Sequence, residues 1–533
     1  MVVNQPSSSI CFRPSAGGPM VQVLDCTLRD GGYYTNWDFD PEVVRTYLAS
    51  VARLPITYVE VGFVNDPAEG YFGEYYFLTP EILKMVRGIL RPDQKVVVII
   101  DGKNHQPERL SALFSPIADI VDLVRITVAP KALAHGVALA KGLKKIGLKV
   151  GFNVMYLSTF QNDLSQISTA FSEADSYDSI ALVDSYGGCV PSAVSKLFRE
   201  LREALPNKTI GFHGHDNMCL AFANTLAAIE GGADVVDGTF TGMGRGAGNL
   251  RTETMLIHLA GQGGNEPLDY QALSSAVAPF DGLRKVYEWG TNLPYMLSGA
   301  NNLPQKDVMD WISKNRYSVL SIIQALQRQS GGDVDTKAYP DLQASSFASK
   351  TVLLIGGGPS VPRHISAISR FVAKTNALVV FASSRHLALA SKIGGTQLLC
   401  LPGHDAFRTG TRDHLSGIAA VVVPTPPRVQ GCLPDDIGLS VFQAQPLHMD
   451  QPDHIGPVSD TGPLGLALGA AKALGTQSCY LAGFDGYEMA SVAEQELSRE
   501  VELALSLFRS SNASVKLSSL TPTRYNLDQA SVY

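Results

Sequence analysis

Five side chains in three short stretches have the types and spacing to hold a cation with a second positive charge beside it. Arg29 and Asp30 are adjacent in DCTLRDGGYY (25–34), His213 and His215 are two apart in GFHGHDN, and Asn249 ends GMGRGAGN. Two imidazoles, a carboxylate and an amide oxygen, with positions left for water, suit a divalent ion: Mn²⁺ or Mg²⁺ first, Zn²⁺ or Fe²⁺ as alternatives. Each stretch alone has a plainer reading. Arg29 and Asp30 read as an exposed ion pair in a glycine turn, the histidines as a hydrogen-bonded pair, and the glycine-rich stretch as an ordinary loop.

What unites them is the kind of element that must carry them. From residue 21 the chain alternates short apolar β-branched runs with amphipathic stretches: 21–27, 57–63, 95–101, 121–128, 148–156, 179–184, 209–215 and 234–240. In PEVVRTYLASVARL, Val44, Tyr47, Leu48, Val51 and Leu54 share one helical face, and in PSAVSKLFRELREAL so do Val194, Leu197, Phe198, Leu201 and Leu205. Proline opens both at a plausible first helical position. Eight βα units over about 240 residues have the length and order of a (β/α)8 barrel, whose strands are buried on both faces. Functional groups in that fold sit at the carboxyl ends of strands. Asp25 to Gly32 follow the first run, His213 and His215 end the seventh, and the glycine-rich loop follows the eighth. Strands 7, 8 and 1 are neighbours in a closed barrel at ~4.8 Å spacing, so Asp30, His213, His215 and Asn249 can converge across ~10 Å.

A chain of 533 residues, 45% hydrophobic and 17% charged, is long enough for two domains. A net charge of -7 provides no field for nucleic acid or anionic membranes. Seven scattered cysteines without a C-x-x-C pair argue against a disulfide framework and a structural zinc site, and fit the cytoplasm. The expected organisation is a disordered tail over 1–20, the barrel over 21–265 and a helical extension over 266–328, which closes the substrate side or serves a homo-oligomer contact. A linker follows over 329–350, then a Rossmann-like α/β domain over 351–533.

LDCTLRDGG, HGHDN and GMGRGAGNLRTE, in that order, resemble the three signatures of the DRE-TIM metallolyases. That family includes HMG-CoA lyase, isopropylmalate and homocitrate synthases, and 4-hydroxy-2-oxovalerate aldolase. The resemblance implies that Asp30, His213 and His215 bind the metal, with Asn249 a fourth ligand or near neighbour. It implies that Arg29 contacts the 2-oxo group and the enolate oxygen, and that Glu60 and Asp184 occupy other polar site positions. The residue types agree, because an enolate needs fixed positive charge, which a Lewis-acid metal and a bidentate guanidinium supply. In the aldolase branch a histidine lies three positions beyond the metal-binding aspartate, where this chain has Tyr33. Tyr33, Glu60, Asp101, His105 or a bound water are therefore the proton-transfer candidates. The glycine-rich loop lacks the cysteine of the acyl-CoA lyase branch. The expected reaction is addition of a pyruvate-type enolate to an aldehyde, or its reverse. The alternatives are an acyl-CoA-dependent Claisen synthase and a non-catalytic ligand-binding barrel.

The βα rhythm restarts at TVLLIGGGPS, where GGGPS (356–360) ends a strand and precedes a helical pattern. Val361 stands where a G-x-G-x-x-G reading needs its last glycine, which disfavours a dinucleotide dehydrogenase. GGGPS and GFDG resemble segments of Rossmann-like proteins related to pterin diphosphokinases and bacterial sialyltransferases. Gly358, Ser360, Thr461 and Asp485 form the candidate ligand-facing set there, for a nucleotide, a nucleotide-sugar or a phosphate. A docking or oligomerising module with an empty cleft is the alternative.

Overall fold

Eight of the apolar runs close into a parallel barrel in the computed structural model: β1 (Gln22–Asp25), β2 (Tyr58–Phe63), β3 (Lys95–Asp101), β4 (Leu123–Val128), β5 (Val150–Val154), β6 (Ser179–Asp184), β7 (Thr209–Gly214) and β8 (Val235–Gly238). The structure describes residues 21–533 except 69, 162–163, 173–174, 263–266, 314–318, 331–333, 348, 404–414, 430, 434–436, 448–461, 489–491 and 513. The tail expected over 1–20 and the candidate Thr461 lie outside the described residues. The chain divides into two compact units, Met1–Lys306 and Asp307–Tyr533.

β8 closes on β1 with Val236 opposite Val23 and Gly238 opposite Asp25. Side chains of β3 and β6 are buried on both faces, which is why those strands read as unbroken apolar runs. The amphipathic stretches form the outer ring. α2 (Pro41–Val51) starts where the Asp40 carboxylate accepts the Glu42 N–H at 2.7 Å, and it buries Val44, Tyr47, Leu48 and Val51. Pro191–Ala204 likewise buries Val194, Leu197, Phe198 and Leu201. The main core fills the shell between strands and helices, while Leu24, Cys26, Val97 and Val235 make a small apolar cluster of their own.

Thr27–Thr35 is a helix, α1, with Arg29 and Asp30 buried, so the plainer reading of an exposed ion pair in a glycine turn does not hold. Asp25 accepts the Thr27 N–H at 3.0 Å and the Thr27 hydroxyl accepts the Phe240 N–H at 2.8 Å, so the first turn is anchored to β1 and to the segment after β8. Its glycines serve close packing. A Cβ on Gly31 would stand 2.6 Å from Met243 Sδ, and one on Gly32 would stand 2.1 Å from Trp37 Cδ1. Small residues cost helix propensity here but let the glycine-rich loop and the indole close on the helix.

Tyr270–Tyr287 and Leu293–Ala300 belong to the first unit, and Val319–Ser330 to the second. Within 329–350, Val334–Asp335 pairs antiparallel with Arg428–Val429, and the Leu342 N–H donates to Gln443 O at 2.9 Å. That stretch is thus partly built into the second unit.

The second unit is built on an eight-stranded parallel sheet in the order Ser440–Ala444, Ala420–Pro424, Gln397–Cys400, Leu378–Phe381, Thr351–Ile355, Ser478–Ala482, Lys516–Ser519, Asp528–Gln529. Val352 and Leu354 enter a core with Leu466 and Leu468, while Leu353 and Ile355 enter another with Ile368 and Val372. Both faces are covered, a doubly wound α/β layer. Strand order reverses between Thr351–Ile355 and Ser478–Ala482, where GGGPS and GFDG follow. Among the described residues no helix is long and apolar enough to cross a membrane.

Candidate active site

Three elements bring the motif residues together at the carboxyl ends of β7, β8 and β1. His213 lies within β7 and His215 just beyond it, bridged antiparallel to Asn249; α1 carries Arg29 and Asp30. Ligand atoms of Asp30, His213 and His215 lie within 4.8 Å of one another, all three residues are buried, and together they form a group able to hold a metal ion.

Their partners test that fit. His213 Nε2 is 3.6 Å from Asp30 Oδ2, too long for a hydrogen bond yet suited to two ligand atoms sharing one ion at ~2.0–2.2 Å. Its Nδ1 lies 3.0 Å from Asp237 Oδ2, the carboxylate–histidine arrangement that orients a ligating imidazole and turns its Nε2 lone pair inward. His215 Nδ1 and Asn249 Oδ1 are buried without a hydrogen-bond partner, a costly state that a cation would relieve. Asn249 Nδ2 donates to Asp30 Oδ2. Burial opposes ionisation of Asp30, but the Arg29 guanidinium and the imidazoles outweigh it and hold the carboxyl well below the usual range. Burial pushes His215 down to about 3, leaving a neutral imidazole with a free lone pair. The residues therefore fit a divalent ion.

The glycine-rich loop reaches this group because it lacks side chains. A Cβ on Gly244 would stand 2.2 Å from Asn249 Nδ2 and 3.0 Å from Asp30 Oδ2.

A ring of charge runs through two members of the triad. Arg29 Nη1 donates to Asp30 Oδ1 and Nε to Glu60 Oε1, both at 2.6 Å. Glu60 Oε2 is 3.2 Å from Arg125 Nη1, and Arg125 Nη2 pairs with Asp237 Oδ2 at 2.5 Å. Arg125 Nε donates to Asn153 Oδ1 at 2.6 Å. Asp237 returns to His213, so Arg29, Asp30, His213, Asp237, Arg125 and Glu60 close a buried cycle. Two contacts occupy Nε and Nη1 of Arg29 and leave Nη2 outside both. Glu60, fully buried between two guanidiniums, acts as an anchor for Arg29. Asp237, Arg125 and Asn153 were not singled out from sequence. Their only signal there is a polar residue inside a β-branched run, such as Arg125 in VDLVRITV.

The other candidates lie outside the Asp30–His213–His215 group. Asp184, at the end of β6, accepts the backbone N–H groups of Gly188 at 3.3 Å and Cys189 at 3.1 Å, bracing a turn, and burial raises its pKa. Both ring nitrogens of His105 face carbonyl oxygens, Asp101 O and Val64 O, at 3.0 Å. Asp25 is a buried anchor that accepts hydroxyls from Tyr47 and Thr252 at 2.6 Å. Tyr33 is 39% exposed, edge-on to Trp37 at 4.9 Å, with Arg245 Cζ 5.4 Å from its ring centroid.

In the second unit Gly358, Ser360 and Asp485 do meet. The Ser360 N–H donates to Asp485 Oδ2 at 2.8 Å, its hydroxyl donates to Oδ1, and a Cβ on Gly358 would stand 2.7 Å from Asp485 Cγ. The donors an anion would use at this turn already hold a carboxylate of the chain itself.

The HMGL-like family model matches residues 125–278. The 4-hydroxy-2-oxovalerate aldolase of Carboxydothermus hydrogenoformans is 32% identical over 246 residues, 45% of this chain and 70% of that protein. The oxaloacetate decarboxylase of Mycobacterium tuberculosis is 28% identical over 255 residues, 48% of this chain and 74% of that protein. Among solved structures, the N-terminal domain of a Bacteroides vulgatus protein assigned as an aldolase is 43% identical with a TM-score of 0.53, covering 57% of this chain and all of that one.

Proposed function

The chain belongs to the HMGL-like family, and on that premise we propose that it is a divalent-metal-dependent carbon–carbon lyase acting beside the carbonyl of a 2-oxo acid. The observation that carries this reading is the buried Asp30–His213–His215 group with the Arg29 guanidinium on Asp30. The favoured reaction joins the methyl-derived carbon of a pyruvate enolate to an aldehyde carbon, or reverses that step. Addition moves one proton off the methyl group and one onto the new alkoxide, so nothing else is consumed.

Asp30, His213 and His215 would hold the ion, with Asn249 Oδ1 a further oxygen donor or a neighbour that fixes Asp30. Mn²⁺ or Mg²⁺ suits that mixed oxygen and nitrogen set. When bound, the ion supplies Lewis-acid charge to the 2-oxo acid. In this reading the Nη2 donor of Arg29, left outside its contacts with Asp30 and Glu60, serves the oxygen where enolate charge develops, and those two carboxylates keep the guanidinium from turning away. Tyr33, three residues beyond Asp30 on α1, is the proton carrier of this reading, and Asp184 shapes the site through its turn.

The test is deuterium exchange of the pyruvate methyl group in D2O, with metal-stripped protein given Mn²⁺ or Mg²⁺ and an Asp30→Ala control. Exchange that needs both metal and Asp30 is expected; its absence with metal bound would overturn the reading. A decarboxylase is the second reading, favoured by the mycobacterial relative. It shares the pyruvate enolate and is distinguished by CO2 release from oxaloacetate.

A further inference from the structure

We propose that Arg245 reads the second substrate, and that the acceptor aldehyde carries a carboxylate or phosphate which pairs with its guanidinium. The proposal rests on the aldolase reading above and names the class of acceptor.

Arg245 is the central side chain of GMGRGAGN, between two glycines that let the loop lie against the site. It is half-buried, and its Nε is fully buried with no hydrogen-bond partner. The buried arginines are neutralised from within the chain: Arg29 by Asp30 and Glu60, Arg125 by Glu60 and Asp237, and Arg428 by Asp335. Among the described residues no carboxylate pairs with Arg245. A partly desolvated cation without a counter-ion is unfavourable, and an anionic ligand restores the balance.

Its position points to the acceptor side. Its guanidinium lies over the half-exposed ring of Tyr33, and a Cβ on the preceding Gly244 would stand 3.0 Å from Asp30 Oδ2. Arg29, held on Asp30 and Glu60, remains for the 2-oxo acid. A guanidinium fork matches a carboxylate or phosphate in two parallel hydrogen bonds, which a neutral aldehyde cannot return.

The test uses full-length protein with Mn²⁺, wild type against Arg245→Ala and Arg245→Lys, in three measurements. The first is pyruvate methyl exchange without acceptor. The second is kcat/KM for matched acceptors: glyceraldehyde 3-phosphate against glyceraldehyde, and succinic semialdehyde against butanal. The third is calorimetric binding of two unreactive probes, glycerol 3-phosphate and butyrate, in the presence of pyruvate. Wild type is expected to favour one charged acceptor over its neutral match by about 10–100-fold, and which pair shows it separates phosphate from carboxylate. Arg245→Ala should lose that preference through KM and weaken the probe by the same factor. It should keep exchange within about threefold, and Arg245→Lys should restore part of the preference. Equal use of charged and neutral acceptors by wild type overturns the proposal, as does an Arg245→Ala loss of exchange matching the loss of addition. If wild type shows no exchange at all, the aldolase reading falls and the acceptor role with it. Probe binding then decides separately whether Arg245 is an anion site.

Discussion

Replacing Asp237 with asparagine should weaken metal binding more than its distance from the ion suggests. Asp237 Oδ2 lies 3.0 Å from His213 Nδ1 and 2.5 Å from Arg125 Nη2, so one oxygen orients a ligand and neutralises a buried guanidinium. Losing the partner that orients a ligating histidine lowers metal affinity by about 10–100-fold, or roughly 1.4–2.7 kcal/mol. Stability falls too. Breaking a buried ion pair by removing one partner costs about 3–5 kcal/mol. The lower end applies here, because Arg125 keeps Glu60 at 3.2 Å and Asn153 at 2.6 Å. The assay is calorimetric titration of metal-stripped protein with Mn²⁺, beside thermal unfolding, with Asp25→Asn as the matched control. Asp25 is a buried aspartate on the neighbouring strand that accepts from Tyr47, Thr252 and Thr27 but touches no candidate ligand. Both variants should unfold at lower temperature, and only Asp237→Asn should lose Mn²⁺ affinity. Affinity within about twofold of wild type in Asp237→Asn, or an equal loss in Asp25→Asn, would refute the positioning role.

Arg29→Lys keeps a positive charge but loses the fork that spans Asp30 and Glu60, so exchange and turnover should fall at least ~100-fold while Mn²⁺ still binds; equal turnover would remove the assigned role. Gly32→Ala should destabilise the first unit by about 1–3 kcal/mol, because its Cβ would enter the buried Trp37 indole at 2.1 Å. Gly31→Ala meets only the flexible Met243 side chain and should cost less, and thermal unfolding of the pair ranks them. In the second unit, Asp485→Ala leaves the Ser360 N–H and hydroxyl without their acceptor, and its unfolding transition should drop by roughly 1–2 kcal/mol, as for a lost helix cap, in a denaturant titration. Tighter phosphate binding by that variant would show that Asp485 occupies an anion position.

The barrel and the meeting of Asp30, His213 and His215 could be read from one dimension because both follow from local periods. Strands buried on two faces must be apolar runs, residues two apart on a strand share a side, and eight βα units returning to the start make strands 7, 8 and 1 neighbours. Partner choice is different, since it depends on which strands closure brings into register. Arg125 and Asp237 are 112 residues apart, and nothing near either predicts that they meet inside the barrel. The same holds for Ser360 and Asp485, 125 residues apart, where strand order reverses and a carboxylate takes the donors of what reads locally as an anion-binding turn. Gly31 and Gly32 carry the same lesson. A double glycine reads as a turn, yet Met243 and Trp37 press so closely that only hydrogen fits, and burial of those neighbours outweighs the low helix propensity. Short-range spacing thus determined which elements form and which groups end them, whereas the charge ring, the anchoring of Arg29 and the unpaired state of Arg245 were decided by tertiary contact.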